Sequence, residues 1–292
     1  MATIQWYPGH MAKAKKEVQN HLSQVDYVIE LRDARVPESS KNPMIDQIIQ
    51  DKPRIIVLNK SDLADKEETQ AWLDLLNQEE GSQACALNSK NPKEMKRFKK
   101  KLYDWTAPVR EKWQAKGVKH QAVRLMIVGI PNVGKSTFIN QFTQKKKAQV
   151  GNKPGVTKGQ QWIRIDKDFE LLDTPGILWP KFEDPEVGTR LALCTAIKQT
   201  HYYNDDIALY ALAFLMDYYP GAIEAKYPIS ADQVHPPYPE LLMTLTEKMG
   251  FLDDYDRASE KIIKDFQDGA ISRLTLDRVA DYEMAQEAAD ND

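Results

Sequence analysis

The chain has 292 residues, 42% of them apolar, two cysteines and a formal net charge of −3. That length accommodates one large α/β unit plus a smaller one, and Cys85 and Cys194 show neither metal-type spacing nor the pattern of a disulfide framework. The longest apolar stretch, residues 207–216, lies between Asp206 and Asp217 and is too short to cross a bilayer. The opening MATIQWYPGHMAKAKK lacks the apolar h-region of a signal peptide, so a reducing cytoplasmic setting is expected.

Charge is divided along the chain. Residues 201–292 carry 7 Lys/Arg against 19 Asp/Glu, whereas residues 1–200 carry 33 against 24. Such a split points to different partners or faces, although a solvated helical surface is the more ordinary reading of the acidic end.

In chain order, Pro8-Gly9 marks a turn and AKAKKEVQNHL a basic helix. Residues 26–33 (DYVIELRD) predict a strand, and Ile45, Ile48 and Ile49 a helix. Residues 53–58 (PRIIVL) predict a second strand ending at Asn59, residues 69–76 a helix, and residues 83–87 (QACAL) a short third strand. A basic helix, KEMKRFKKKLYDW, follows, and residues 106–120 read as a linker. The apolar run 124–128 (RLMIV) predicts a buried strand, and Phe138, Ile139 and Phe142 mark the helix after it. A polar segment, KKKAQVGNKPGVTKG, leads to a hairpin-like pair at 161–165 and 169–172, ending at Asp173. Strands alternating with helices predict an α/β fold, a mainly parallel sheet with helices on both faces. Beyond Pro180 the pattern changes. Residues 186–197, 207–218, 239–249 and 258–266 predict helices separated by Pro-Gly, Pro-Pro and Asp-Gly breaks. The expected division is a nucleotide domain over 1–180 and a small all-α domain over 184–292.

The string GIPNVGKS, residues 129–136, lies between a predicted strand and a predicted helix, where G-x-x-x-x-G-K-[ST] cradles phosphate. Gly129 and Gly134 permit a close backbone wrap. The N–H groups from Asn132 through Val133, Gly134, Lys135, Ser136 and Thr137 line the helix start, where anions bind. Lys135 supplies charge to the β- and γ-phosphates, and the Ser136 hydroxyl suits Mg²⁺. NKSD at 59–62 follows a strand directly. The Asp62 carboxylate can accept from both N1–H and the 2-amino group of guanine, a fork that adenine lacks. Asn59 can bond the base edge or brace the phosphate loop, and the methylene stem of Lys60 can cover the ring. Asn88, Ser89 and Lys90 fit a loop whose backbone N–H meets the guanine O6. DTPG at 173–176 offers Asp173 to Mg²⁺, through water, and the Gly176 N–H to the γ-phosphate. Thr157, in PGVTKG, is the second Mg²⁺ hydroxyl and would be ordered by a γ-phosphate. Lys135 and Thr157 are thus the residues expected to serve catalysis, and GTP or GDP the expected ligand.

The motif order is the unusual feature. NKSD and NSK precede the phosphate loop, and PGVT and DTPG follow it, whereas most G-proteins begin with the phosphate loop. A circular permutation keeps the sheet and joins the old termini through residues 106–120. It makes this a circularly permuted P-loop GTPase domain with DTPG directly upstream of the helical tail.

With this order, the opening WYPGHMAKA, DARVP at 33–37 and the helical tail, the chain resembles the ribosome biogenesis GTPase A (YlqF-like) family over essentially its whole length. The resemblance implies a role in late assembly of the bacterial large (50S) ribosomal subunit, with that subunit and its rRNA as partners and an RNA-binding tail. The acidic tail leaves Arg257, Lys261 and Lys264 as its local RNA-facing candidates. The position where a water-orienting glutamine usually follows DTxG holds Ile177, which cannot orient water. The resemblance supplies His10 instead; the residues alone read it as a cap on the helix that begins near Met11. Asn132 is similar to an asparagine that holds K⁺ in related G-proteins, where the ion substitutes for an arginine finger. Lysines 13, 15 and 16, the cluster Lys96, Arg97, Lys99, Lys100 and Lys101, and lysines 145–147 could contact rRNA or simply be solvated. Trp6, Trp105, Trp113 and Trp162 could stack on bases or pack. A nucleotide-dependent RNA-binding scaffold with incidental turnover, or a GTPase acting on another RNA, stays open. No oligomeric state is indicated.

Overall fold

Strands buried on both faces read as continuous apolar runs, and such runs mark the centre of a parallel sheet. The computed structural model describes residues 16, 18–49, 52–79, 81–118, 121–143, 161–174, 176, 182 and 184–290. Its strands are β1 (Tyr27–Asp33), β2 (Arg54–Asn59), β3 (Ser82–Leu87), β4 (Val123–Gly129), β5 (Gln161–Arg164) and β6 (Phe169–Asp173). They form one six-stranded sheet in the order β3-β2-β1-β4-β6-β5. Only β5 is antiparallel to its neighbour, placing Trp162 opposite Leu172. Every residue of β1 is buried. Its register sets Leu31 beside Val57 on one side and Ile29 beside Ile127 on the other.

The permutation is visible in this order. From β1 the chain steps outward through β2 to the β3 edge, passing α1 (Pro43–Ile49) and α2 (Lys66–Gln78). It then returns to the centre for β4 and continues toward the opposite edge. That return spans three inter-strand spacings, about 14 Å at the usual separation. It is made by α3 (Pro92–Trp105) and α4 (Ala107–Ala115), so most of the expected linker at 106–120 is helical. Local chemistry explains the correction. Pro108 occupies the first turn of α4, where its missing N–H has no cost. The fully buried Thr106 joins the helices, donating to Leu102 O at 2.7 Å and accepting from Arg110 Nη1 at 2.7 Å. Val109 and Trp113 pack against the core.

The helical part comprises α6 (Pro185–Leu193), α7 (Asn204–Tyr218), α8 (Ala222–Lys226), α9 (Tyr238–Lys248), α10 (Tyr255–Gln267) and α11 (Val279–Asp290); α5 (Lys135–Thr143) belongs to the sheet. The apolar stretch at 207–216 is the core of this part: Ile207, Ala208, Ala211, Leu212, Phe214 and Leu215 of α7 are all buried. Among the described residues no helix is long and apolar enough to cross a membrane. α6 stops at Leu193, earlier than expected. Thr195 turns left-handed at φ 68°, and Ala196 N donates to Leu191 O at 2.9 Å, closing the helix end. α8 and α11 carry too little apolar periodicity to be predicted. The cations offered as RNA-facing are engaged: Arg257 lies 4.4 Å above the Phe251 ring, Lys261 pairs with Asp265, and Lys264 with Asp268 at 3.0 Å.

The chain finally folds back onto the sheet. Leu276 N donates to Arg35 O at 2.7 Å, Trp72 Nε1 to Asp277 O at 2.8 Å, and the Tyr282 ring lies 5.2 Å from that of Trp72. The buried Asp277 carboxylate accepts from Glu38 N at 2.8 Å, Ser39 N at 2.6 Å, Ser39 Oγ at 2.7 Å and Arg190 Nη1 at 3.0 Å. Asp277→Ala leaves all four donors without this acceptor and the Arg190 charge half-buried. We expect it to cost about 3–5 kcal/mol, read as a lowered urea midpoint. A midpoint unchanged from wild type would show that this junction is not what holds the helical part in place.

Candidate functional site

Where strand order reverses in an open parallel sheet, the loops at the carboxyl ends diverge and leave a crevice. Here the reversal falls between β1 and β4. The strand ends there are Asp33, Asn59, Leu87, Gly129 and Asp173, each leading into one of the motifs singled out above.

Asn59 joins the motifs. Its buried side chain donates from Nδ2 to Val133 O at 2.8 Å, in the phosphate loop. Its Oδ1 accepts from Ser89 N at 3.2 Å and from the Ser89 hydroxyl. The amide thus braces the phosphate loop, one of the two roles the sequence left for it. Gly134, at φ +103°, has to be glycine, because a Cβ would collide with Asn59 Nδ2. Gly129 is equally constrained, a Cβ there lying 2.5 Å from Leu31 O.

Lys60 follows at φ 59°, and its ammonium is 2.8 Å from Asp33 Oδ2. Asp33 also takes Arg35 Nε at 3.0 Å and Nη2 at 2.9 Å. Burial alone would raise the Asp33 pKa; Arg35 and Lys60 overcome it and hold the carboxyl well below the usual range. Asp62 is half-buried, and no described residue donates a hydrogen bond to it. In the third loop every N–H is engaged: Asn88 N to Glu94 Oε2 at 2.8 Å, Ser89 N to Asn59, and Lys90 N to Asn88 Oδ1 at 2.9 Å. Of these, only the Lys90 contact is solvent-exposed, so its N–H is the one that can exchange the Asn88 side chain for a ligand.

On the phosphate side, Lys135 is buried and donates to Gly129 O at 2.9 Å and Ile130 O at 2.8 Å. Burial, opposed by Asp173, lowers its pKa to about 8. Asp173 shows the converse: burial, opposed by Lys135, raises it to about 6. Its Oδ1 is buried with no hydrogen-bond partner. An orphaned carboxylate oxygen beside a lysine, in a cradle that admits no Cβ, suits Mg²⁺ and phosphate, so the residues present fit that group. Ser136 and Thr137 are half-buried in the first turn of α5. A Cβ on Gly176 would come within 3.0 Å of both Lys135 Nζ and Pro131 Cα, so Gly176 lies against the phosphate loop. Thr174, fully buried, donates to Ile127 O at 2.5 Å, fixing the end of β6 beside β4. Asn132, at φ 57°, donates from Nδ2 to Thr195 O at 2.7 Å, so the helical part touches the phosphate loop directly.

Asn59, Lys60, Asp62, Ser89, Asn132 to Thr137, Asp173 and Gly176 thus gather at one edge of the sheet. His10, Thr157, Ile177, Trp6, lysines 13 and 15 and lysines 145–147 lie outside the described residues. Sequence reasoning gave no role at this edge to Asp33 and Arg35 of DARVP, to Thr174 of DTPG or to Thr195. Asp33, a charge at the end of an apolar strand, and Thr174, inside DTPG, carried a signal; Arg35 and Thr195 carried none.

Comparison with known proteins now adds to this geometry. A family model described as 50S ribosome-binding GTPase matches residues 124–218. Ribosome biogenesis GTPase A of Priestia megaterium is 45% identical over 97% of this chain and 99% of its own. The Bacillus cereus protein of that name is 43% identical over 96% and 95%. Mitochondrial ribosome-associated GTPase 1 of Mus musculus is 32% identical over 94% and 90%. Among solved structures, GNP-bound YlqF from T. maritima is 25% identical, with a TM-score of 0.65 over 91% of this chain and 98% of that one. GDP-bound TM YlqF, 24% identical, superposes with a TM-score of 0.66 over 89% and 98% and shares the fold. Likeness of this extent along nearly the whole chain, joined to a phosphate loop set in a permuted sheet, makes the protein a GTPase belonging to the ribosome biogenesis GTPase A family.

Proposed function

We propose that the protein is an assembly factor for the large ribosomal subunit whose affinity for the particle follows its nucleotide state. The observation that carries the nucleotide half of this reading is the Asn59 bridge. One buried amide bonds both the phosphate loop and the third loop, so base-reading and phosphate-binding segments face a single ligand. In this reading Asp62 takes the guanine edge, the Lys90 N–H meets O6, and the stem of Lys60, its ammonium held by Asp33, covers the ring. Lys135 and the N–H groups of residues 132–137 hold the phosphates. Ser136, Asp173 and Thr157 hold Mg²⁺, which neutralises phosphate charge when bound. Asp62→Asn presents a donor amide to the base and should turn preference from guanine toward xanthine nucleotides. Unchanged guanine selectivity in competitive binding would end the assignment.

Catalysis without a glutamine at position 177 points to His10 and to a cation on the phosphate loop. In this reading Asn132 would hold K⁺, as its place in the phosphate loop suggests. A supplied arginine is worth roughly 10³–10⁵ in rate, so slow basal turnover is expected in its absence. Hydrolysis should run faster in K⁺ than in Na⁺, and Asn132→Ala should abolish the difference. Equal wild-type rates in the two salts would remove K⁺ from the account.

For the ribosomal half, the names of the relatives are joined by a surface feature. Lys93, Lys96, Arg97, Lys100 and Lys101 are exposed on α3, spaced to fall on one stripe opposite the buried Met95, Phe98 and Leu102. None pairs with an acid among the described residues, while Lys99 pairs with Asp166. Next to the stripe, the exposed Tyr103 carries the Arg110 guanidinium at 3.7 Å. Trp105 and Trp113 pack against the core instead of stacking outward; Trp162 is 38% exposed under Arg124. A cationic stripe beside a planar stack suits an RNA backbone. The protein should cosediment with large subunits in a GTP analogue and leave them in GDP. Replacing Lys96, Arg97, Lys100 and Lys101 by alanine should weaken that binding and flatten its salt slope by roughly 3. A slope equal to wild type would mean that another face makes the contact.

A further inference from the structure

The loop that carries Asp62 is held from both sides, and one side belongs to the helical part. Lys60, before it, is tied to Asp33. After it, Leu63 O accepts from Leu274 N at 3.1 Å, and Asp65 N donates to Thr275 Oγ1 at 3.1 Å. Asp65 Oδ2 accepts from Tyr219 OH at 3.2 Å, and the Tyr219 oxygen in turn accepts from Thr275 N at 3.0 Å. Gly269, at φ +68°, approaches so closely that a Cβ would lie 2.8 Å from Leu63 Cδ2. The Thr275 hydroxyl is fully buried and also donates to Ala34 O at 3.5 Å, joining the loop after β1 to the loop after β2. Ala34 N in turn donates to Asn59 O at 2.8 Å. On the same side Arg35 Nη1 donates to Gln267 O at 3.2 Å. Asp62 receives no hydrogen bond of its own from a described residue, so its placement is set by these flanks.

We propose that Gly269, Leu274 and Thr275 of the helical part are positioning residues for the base site and set its affinity for guanine nucleotide. This rests on the assignment of residues 59–62 as the base loop. Coupling between two sites is reciprocal in free energy. A particle that displaces residues 267–278 therefore loosens the Asp62 loop and hastens nucleotide release, and a bound nucleotide stiffens the junction. This route acts on GDP and GTP alike. It is separate from γ-phosphate sensing through Thr157 and DTPG, and it provides exchange by docking.

The test uses the full chain. Thr275→Val keeps the shape and deletes the hydroxyl; Thr275→Ser keeps the hydroxyl. GDP release, followed by displacement of a fluorescent analogue, should be roughly three- to tenfold faster in Thr275→Val. KM for GTP should rise by a similar factor with kcat little changed, and Thr275→Ser should behave as wild type. Tyr219→Phe should shift release in the same direction by deleting a different contact to the same loop. Wild-type GDP release in both Thr275→Val and Tyr219→Phe would overturn the proposal, as would a loss of kcat at unchanged KM. Asp62→Asn, measured alongside, separates the two failures. If it keeps guanine selectivity, the base-loop assignment falls and takes the proposal with it. If it loses selectivity while Thr275→Val matches wild type, the proposal alone falls.

Discussion

A single buried carboxamide carries much of the organisation of this protein. Asn59 satisfies its own polar atoms only when the third loop and the phosphate loop are both in place, because its partners are Ser89 and Val133. Leaving either end unpaired would cost about 1–3 kcal/mol. The glycine at position 134 follows from the same contact, since any side chain there would displace the amide. Hydrogen bonds are blind to chain order. A phosphate loop that arrives after the base loop can therefore meet the same amide as one that arrives before it, provided the sheet order is kept. The permutation moves the connection, here the α3–α4 return, and leaves the carboxyl-edge crevice where strand order dictates.

Two kinds of buried charge divide the molecule. Asp33 with Arg35 and Lys60, and Asp277 with Arg190 and the Ser39 groups, are each surrounded by partners on several sides. They join segments far apart in sequence. Asp173 and Lys135 differ: burial pushes one carboxyl up to about 6 and the lysine down to about 8, and Asp173 Oδ1 has no partner. Groups whose charge the fold only partly compensates are suited to a charged ligand. The contrast lies in the surroundings, because the carboxylates Asp33, Asp277 and Asp173 are all buried to a similar depth.

The outward-facing readings were the least legible. Arg257, Lys261 and Lys264 look like an RNA-facing trio in a list of residues, yet two pair with acids four positions further along the chain, and the third covers Phe251. Lys99 is likewise neutralised by Asp166, from the turn between β5 and β6, while its neighbours Lys96, Arg97 and Lys100 stay open. Whether a surface cation is available depends on what the next element brings beside it. Helix α4 escaped notice for a related reason: a polar, glycine-ended stretch has little periodicity, and Thr106, Val109 and Trp113 acquire theirs by docking.

What the chain determined by itself was the set of local motifs. The eight residues from Gly129 to Ser136, NKSD and DTPG each have a meaning set by backbone freedom, charge and donor count within a few positions. Their order along the chain was enough to imply a permuted sheet, because each lies at the end of an apolar run. Only the tertiary structure placed the Asn59 amide between the phosphate loop and the third loop. It alone showed Asp33 anchoring Lys60, and residues 267–278 gripping the loop around Asp62. Those facts depend on which strand ends become neighbours and on what covers them. Contacts between residues more than two hundred positions apart, such as Thr275 with Asp65, leave no trace in local spacing. Folding brings them together because a buried N–H must find an acceptor wherever the chain places one.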